Sequence, residues 1–129
     1  METLVIYTKS SCASSRNAVK FLDEHNIPYK RVRLGMKGST ISKSHLDYLI
    51  KNSNAGFEGL VNRNKLEGLL DLSVEECKEY LRENPRFLKT PILIGRQNYY
   101  VGYNDSVYGM FFTRELRRQK LKRLMTLAV

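Results

Sequence analysis

The sequence has few cysteines, no export signal and no long apolar run. Its two cysteines, Cys12 and Cys77, lie far apart in the chain, and without a secretory signal such a pair does not indicate a disulfide framework. The N-terminal segment METLVIYT has no basic region, and its apolar stretch is far shorter than that of a signal peptide or a membrane span. We therefore expect a cytoplasmic protein with reduced thiols and no membrane segment.

Glycine and proline are also scarce, with 8 and 3 residues respectively among 129, which is not the composition of a fibrous or disordered chain. Hydrophobic residues make up 42% of the chain and charged residues 27%, as in ordinary globular proteins. A chain of this length buries one core and has little left for a second. We predict a single domain over residues 1–129.

No residue pattern indicates a cofactor or a metal. The sequence contains no glycine-rich phosphate loop, and no serine, histidine and aspartate that the expected fold would bring together, which argues against a nucleotide-dependent enzyme. His25 and His45 lie on separate predicted helices, without a carboxylate or cysteine at ligand spacing. We assign both histidines to exposed surfaces.

Basic residues outnumber acidic ones by 22 to 13, and the excess is concentrated near the C-terminus. There, only Glu115 opposes a basic set made of Arg114, Arg117, Arg118, Lys120, Lys122 and Arg123. Such a segment favours an acidic partner, either nucleic acid or an acidic protein surface, and the alternative is a solvated helix face. A module that binds nucleic acid through this segment alone is disfavoured, because no base-stacking aromatic motif accompanies it.

The N-terminal half has the pattern of a β-α-β unit. Residues 3–8 are β-branched and apolar on both faces, which predicts a buried central strand. Residues 14–25 carry apolar side chains at helical spacing, and residues 29–34 alternate basic with apolar side chains, as a half-solvated strand does. Ser42 then caps a second predicted helix, and Gly56 ends that helix region in a left-handed conformation.

The C-terminal half predicts one more helix, two strands and a last helix. A capping box of serine and glutamate begins the first of these helices at Ser73. Residues 91–94 and 99–103 flank a short turn and predict an antiparallel pair. Asn104 or Asp105 is predicted to cap the last helix, which continues into the basic segment.

This order of elements places two parallel strands beside a C-terminal antiparallel pair. It predicts an α/β fold, a thioredoxin- or glutaredoxin-like domain with a mixed four-stranded sheet. The predicted core comprises residues 1–34 and 86–115. Residues 40–84 form a helical insertion, and a basic helix ends the chain.

Cys12 is the candidate nucleophile or redox-active residue, because it follows a buried strand and precedes a helix. Amide groups at a helix N-terminus lower the pKa of a thiol, and Lys9 and Arg16 would add to that effect. In the motif CASS, Ser15 stands where dithiol oxidoreductases place a second cysteine, so no local disulfide is available. Ser15 either donates a hydrogen bond to the thiolate or caps the helix. The alternative for Cys12 is a small buried hydrophobic residue.

Two other positions have structural interpretations. Cys77 shares a helix face with Val74 and Leu81, which indicates core packing. The segment Lys89-Thr90-Pro91-Ile92 resembles the cis-proline segment that faces the cysteine in thioredoxin-type sites, so we expect a cis peptide bond before Pro91. The alternative is a trans proline at the start of a strand.

The sequence resembles the Spx family of transcription regulators, which is similar to the glutaredoxin-coupled arsenate reductases. The resemblance rests on IYTKSSCASSRNAVKFLDEHNIPY near the N-terminus, NAG at residues 54–56, ENPRFLKTPILI at residues 83–94 and VGYN at residues 101–104. It covers nearly the whole chain.

The resemblance implies a bacterial stress-response regulator, not an enzyme, that binds the C-terminal domain of the RNA polymerase α subunit. Lys51 and Gly56 lie where family members contact that domain. The resemblance also implies a protein that is monomeric when free. Its basic segment would contact promoter DNA weakly and only within the polymerase complex. The C-terminal residues 127–129 resemble the end by which Spx proteins reach the ClpXP protease.

Two departures from the family pattern concern the thiol site. Family members usually carry a CxxC pair, whereas this chain has Cys12 and Ser15. Either the single thiol senses oxidants by forming a sulfenic acid or a mixed disulfide, or redox sensing is lost. Thr90 stands where the family often has an arginine. The rival interpretation is an arsenate reductase-like or monothiol glutaredoxin-like oxidoreductase, in which Cys12 attacks and Arg16 neutralises charge. Thr90 weakens that rival, because it cannot bind an anion as arginine does.

Overall fold

A four-stranded sheet forms the centre of the computed structural model, which describes residues 4–54, 56–95, 98–112, 121, 124 and 125. The strands are β1 (Leu4–Thr8), β2 (Tyr29–Arg33), β3 (Ile92–Ile94) and β4 (Tyr99–Val101), in the order β2-β1-β3-β4. Strand β1 pairs parallel with β2 and antiparallel with β3, and β3 pairs antiparallel with β4. The mixed sheet predicted from the sequence is therefore confirmed.

The described helices are α1 (Ala13–Glu24), α2 (Lys43–Asn52), α3 (Arg63–Leu66), α4 (Val74–Glu83) and α5 (Asp105–Phe111). Three of their N-termini are capped by the residues that the sequence predicts. Ser42 accepts from the His45 amide, Asn104 accepts from the Val107 amide, and Ser73 forms the predicted capping box. These caps satisfy amide groups that have no partner inside the helix, so they define where each helix begins.

Alternate residues of the strands enter two separate cores, because side chains of a strand point to opposite faces in turn. On one face, α1 and α5 cover the sheet, and the core consists of Ile6, Ala18, Leu22, Ile27, Leu93, Tyr108 and Phe112. On the other face, the segment from α2 to α4 covers the sheet, and Tyr7, Ile92 and Ile94 point into a larger core. The boundaries predicted for the thioredoxin-like part and the insertion remain a prediction.

Several predicted details differ in the structure. Helix α2 ends at Asn52 with Ser53 as its C-cap, so Gly56 does not end it but begins a 3₁₀ turn over Gly56–Gly59. The short helix α3 was not predicted, because four residues show no periodicity. Cys77 is buried as expected, whereas Val74 is 53% exposed because it occupies the first position of α4.

Within the described residues, no helix has the length and hydrophobicity needed to cross a membrane. The same residues hold no group of three or more histidine, cysteine, aspartate or glutamate side chains placed to bind a metal ion. The six basic residues singled out in the C-terminal segment, Arg114, Arg117, Arg118, Lys120, Lys122 and Arg123, lie outside the described residues, as do residues 127–129.

Candidate functional site

Cys12 is the N-cap of α1, and its thiol lies at the C-terminal edge of β1. Its sulfur accepts a hydrogen bond from the Ser15 amide at 3.4 Å. A second bond, from the Cys12 amide to the Lys9 carbonyl at 3.2 Å, closes the turn between strand and helix. The thiol is partly exposed, so a reactant can reach it.

The segment before β3 faces this thiol. The Thr90–Pro91 peptide bond is cis, as the sequence predicts. The Cys12 thiol donates to the Thr90 carbonyl oxygen at 3.6 Å. Because β1 and β3 are paired strands, the turn after one lies beside the segment before the other. The sheet thus brings together Cys12, Ser15, Thr90 and Pro91.

The surroundings of Cys12 favour its thiolate. Partial burial opposes ionisation, but hydrogen bonds from the Ser15 and Thr90 side chains and from the Ser15 and Ser14 amides outweigh it, so the pKa of Cys12 is lowered. Ser15 is fully buried, and its hydroxyl oxygen also accepts from the Lys9 amide at 3.3 Å. The hypothesis that Ser15 caps the helix is wrong, because Cys12 occupies that position.

The two cations expected near the thiol have other hydrogen-bond partners. The Lys9 ammonium donates to the carbonyl oxygens of Arg86 and Leu88, each at 2.6 Å. Burial lowers the pKa of Lys9, and the charge of Cys12 acts in the opposite direction. Arg16 is exposed, and its guanidinium donates to the Ser10 carbonyl at 3.4 Å.

Lys51 and Gly56 lie together at the end of α2. Lys51 is exposed in the last turn of the helix. Gly56 has φ +57°, and a Cβ atom added there would meet nothing within 4 Å. Ser53 holds the turn, because its hydroxyl donates to the Gly56 carbonyl and its carbonyl accepts from the Gly56 amide, both at 3.2 Å. The backbone at Gly56 is therefore open to a partner.

Hydrogen bonds connect the thiol site to this turn. The Lys89 amide, next to Thr90, donates to the Leu60 carbonyl at 2.7 Å. The Lys89 ammonium donates to the Glu58 carbonyl at 3.1 Å, within the 3₁₀ turn that begins at Gly56. The segment that contacts Cys12 is thus tied to the segment that follows α2.

One predicted surface residue is wrongly assigned. His45 is partly buried, and its Nδ1 atom is hydrogen-bonded to the Tyr7 hydroxyl at 2.6 Å. Burial lowers the pKa of His45, and the nearby Lys30 ammonium lowers it further. The sequence carries no local signal for this contact, because Tyr7 and His45 meet only when α2 packs on the sheet. His25 is exposed, as predicted.

Comparison with known proteins identifies relatives along most of the chain. The ArsC family matches residues 7–111. The global transcriptional regulator Spx of Enterococcus faecalis is 29% identical, and that of Bacillus subtilis is 28% identical; each alignment covers 97% of this chain and 98% of the relative. The predicted resemblance to Spx proteins and to the arsenate reductase family is confirmed.

Solved structures share the fold. The YFFB protein superposes with a TM-score of 0.69 at 24% identity, covering 84% of this chain and 97% of its own. An arsenate reductase from Vibrio cholerae superposes with a TM-score of 0.61 at 17% identity, covering 77% of this chain and 88% of its own. These similarities confirm the predicted α/β class.

Proposed function

The chain belongs to the ArsC family, and we propose that within it this protein is an Spx-like global regulator of stress-response transcription. We propose that it binds the C-terminal domain of the RNA polymerase α subunit. The relatives called Spx support this function, because their alignments cover nearly the whole of this chain. The thioredoxin-like fold by itself does not distinguish a regulator from an enzyme.

The observation that carries the proposal is the open turn at Gly56. A positive φ and empty space where a Cβ atom would lie let another protein approach the backbone of Gly56 closely. Lys51 adds an exposed positive charge one turn earlier. The residue types and their positions therefore suit a contact with another protein.

The thiol site then has a regulatory role without a disulfide switch. Cys12 has a lowered pKa, but Ser15 cannot form a disulfide with it. Cys77 lies on the buried face of α4, where its thiol donates to the Leu69 carbonyl at 3.4 Å. Oxidation would proceed through a sulfenic acid or a mixed disulfide with a small thiol.

The second candidate is a thiol oxidoreductase similar to arsenate reductases or monothiol glutaredoxins, supported by the low pKa of Cys12. The side chains near the thiol supply little positive charge for binding an anion, which argues against this candidate. Thr90 contributes no cation, and Arg16 donates to the main chain of Ser10. Incubation with arsenate, glutathione and glutaredoxin tests this candidate, and turnover that disappears in Cys12→Ala would favour it.

Two further partners depend on residues outside the described part of the chain. The basic residues between 114 and 123 would contact promoter DNA only after polymerase binding, so DNA binding by the protein alone should be weak and should decrease steeply with salt. The apolar C-terminus would deliver the protein to ClpXP. Replacing Ala128 and Val129 by aspartate should lengthen the cellular half-life, and an unchanged half-life would contradict this assignment.

Calorimetric titration of the protein with the isolated α C-terminal domain tests the main proposal. Gly56→Arg should abolish binding, because its side chain fills the space that the partner needs. Gly56→Ala is the control, since it carries the same backbone cost at positive φ without the bulk. Binding lost in Gly56→Arg and retained in Gly56→Ala supports the proposal. Absent binding by the natural protein, or equal binding by all three, overturns it.

A further inference from the structure

We propose that the partner-binding surface extends from the end of α2 onto strand β4 through a pair of tyrosines, Tyr48 and Tyr99. This inference rests on the proposed binding of the RNA polymerase α subunit. It adds residues that the family resemblance does not assign, and it gives Tyr99 a positioning role for the turn at Gly56.

The hydroxyl of Tyr99 holds the last residue of α2. It donates a hydrogen bond of 3.0 Å to the main-chain carbonyl oxygen of Asn52. The last carbonyl groups of a helix have no partner within it, so a bond from another element fixes where the helix points. The next residue, Ser53, holds Gly56 through two hydrogen bonds. The position of the Gly56 turn thus depends on β4.

The two tyrosine rings form an aromatic patch beside Lys51. Their centroids are 5.8 Å apart and their planes meet at 83°, the edge-to-face geometry that aromatic pairs prefer. Both side chains pack on the larger core and remain partly exposed. Asn52 joins the patch, because its side-chain amide donates to the Tyr48 carbonyl at 2.8 Å.

This composition suits a protein interface. Tyrosine is enriched among the residues that contribute most to binding energy, because it gives a large apolar area at low entropy cost. Here an anchored tyrosine pair adjoins an exposed lysine and a glycine turn without a side chain. The α C-terminal domain that would bind Lys51 and Gly56 would then also cover Tyr48 and Tyr99.

The neighbouring Tyr100 provides a matched control. It lies on the same strand but packs against the core on the other face of the sheet. There the centroid of its ring lies 6.1 Å from the centroid of the Tyr108 ring. Loss of the Tyr100 hydroxyl should therefore leave the α2 end unchanged. Thermal unfolding of each variant shows whether it is folded at the temperature of the titration.

Calorimetric titration with the α C-terminal domain should give about three- to tenfold weaker binding for Tyr99→Phe, which loses the hydrogen bond and keeps the ring. Tyr99→Ala and Tyr48→Ala should weaken binding more, and Tyr100→Phe should bind like the natural protein. In NMR spectra of the free protein, Tyr99→Phe should shift the amide signals of residues 51–56, and Tyr100→Phe should not.

The outcomes separate this inference from the function on which it rests. If Gly56→Arg abolishes binding while all Tyr48 and Tyr99 variants bind normally, the extended surface is wrong and the regulator function stands. If the natural protein does not bind the domain, both fail. A purely structural role of Tyr99 would lower the unfolding temperature and leave affinity unchanged, which also overturns the inference.

Discussion

The sulfur atom of Cys12 lies 3.6 Å from the main-chain carbonyl oxygen of Thr90, a residue 78 positions further along the chain. One thiol is thereby placed between the start of α1 and the cis-proline segment. Ser15, buried within the first turn of α1, completes the hydrogen bonds around it. Burial opposes ionisation of the thiol, but the hydrogen bonds that its sulfur accepts from Ser15 outweigh that effect, so the pKa of Cys12 is lowered without a second cysteine.

Ser15→Ala should raise the pKa of Cys12, because it removes the strongest of the hydrogen bonds that favour the thiolate. The measurement is the pH dependence of Cys12 alkylation by iodoacetamide, with the modified cysteine located by mass spectrometry. Ser14→Ala is the control, since Ser14 contributes only its main-chain amide. An equal shift in both variants would contradict the role given to the Ser15 hydroxyl.

His45 should make the protein less stable in mild acid. Its pKa is lowered in the folded protein, so below the unfolded value of about 6.5 the unfolded chain binds more protons, and stability decreases as pH falls through that value. Burial of the ring and the nearby Lys30 ammonium both disfavour the protonated form of His45.

Urea unfolding between about pH 7.5 and pH 5.5 measures this effect in the range where histidine titrates. His45→Gln should flatten the pH dependence, and His25→Gln, which changes an exposed ring, should leave it as it is. The assignment to His45 is wrong if the His25 variant alone flattens the curve.

The capping box of α4 should contribute measurably to stability. Ser73→Ala removes the hydroxyl that accepts from the Glu76 amide at 3.1 Å and should lower the free energy of unfolding by about 1 kcal/mol. Ser73→Thr keeps a hydroxyl, so its free energy of unfolding should decrease much less. Denaturant unfolding of both variants checks this, and equal losses would show that the cap is not responsible.

Lys9 should act as a structural tie between the Cys12 turn and the segment before β3. Lys9→Met leaves the Arg86 and Leu88 carbonyls without their charged donor, and we expect a loss of about 1–3 kcal/mol in unfolding free energy. Lys20→Met is the control, because Lys20 is 74% exposed and its one described ion pair, with Glu24, is 3.9 Å long. Similar losses in both variants would refute the tie.

Much of the fold follows from local sequence signals. The caps at Ser42, Ser73 and Asn104 lie beside the amides they bind, so a few consecutive residues predict them. The strand pattern of residues 3–8 is also local, because β1 is apolar on both faces. Helix α3 and the 3₁₀ turns were not predicted, since segments this short have no period to recognise.

The sequence by itself determined the α/β class, the position of Cys12 before a helix, and the absence of a second cysteine beside it. Only the tertiary structure decided that Ser15 is buried within the first turn of α1, that His45 is paired with Tyr7, and that Tyr99 holds the end of α2. Each of these three features depends on how the helices pack on the sheet. Local propensity reports neighbours along the chain, whereas burial and hydrogen bonding depend on neighbours in space.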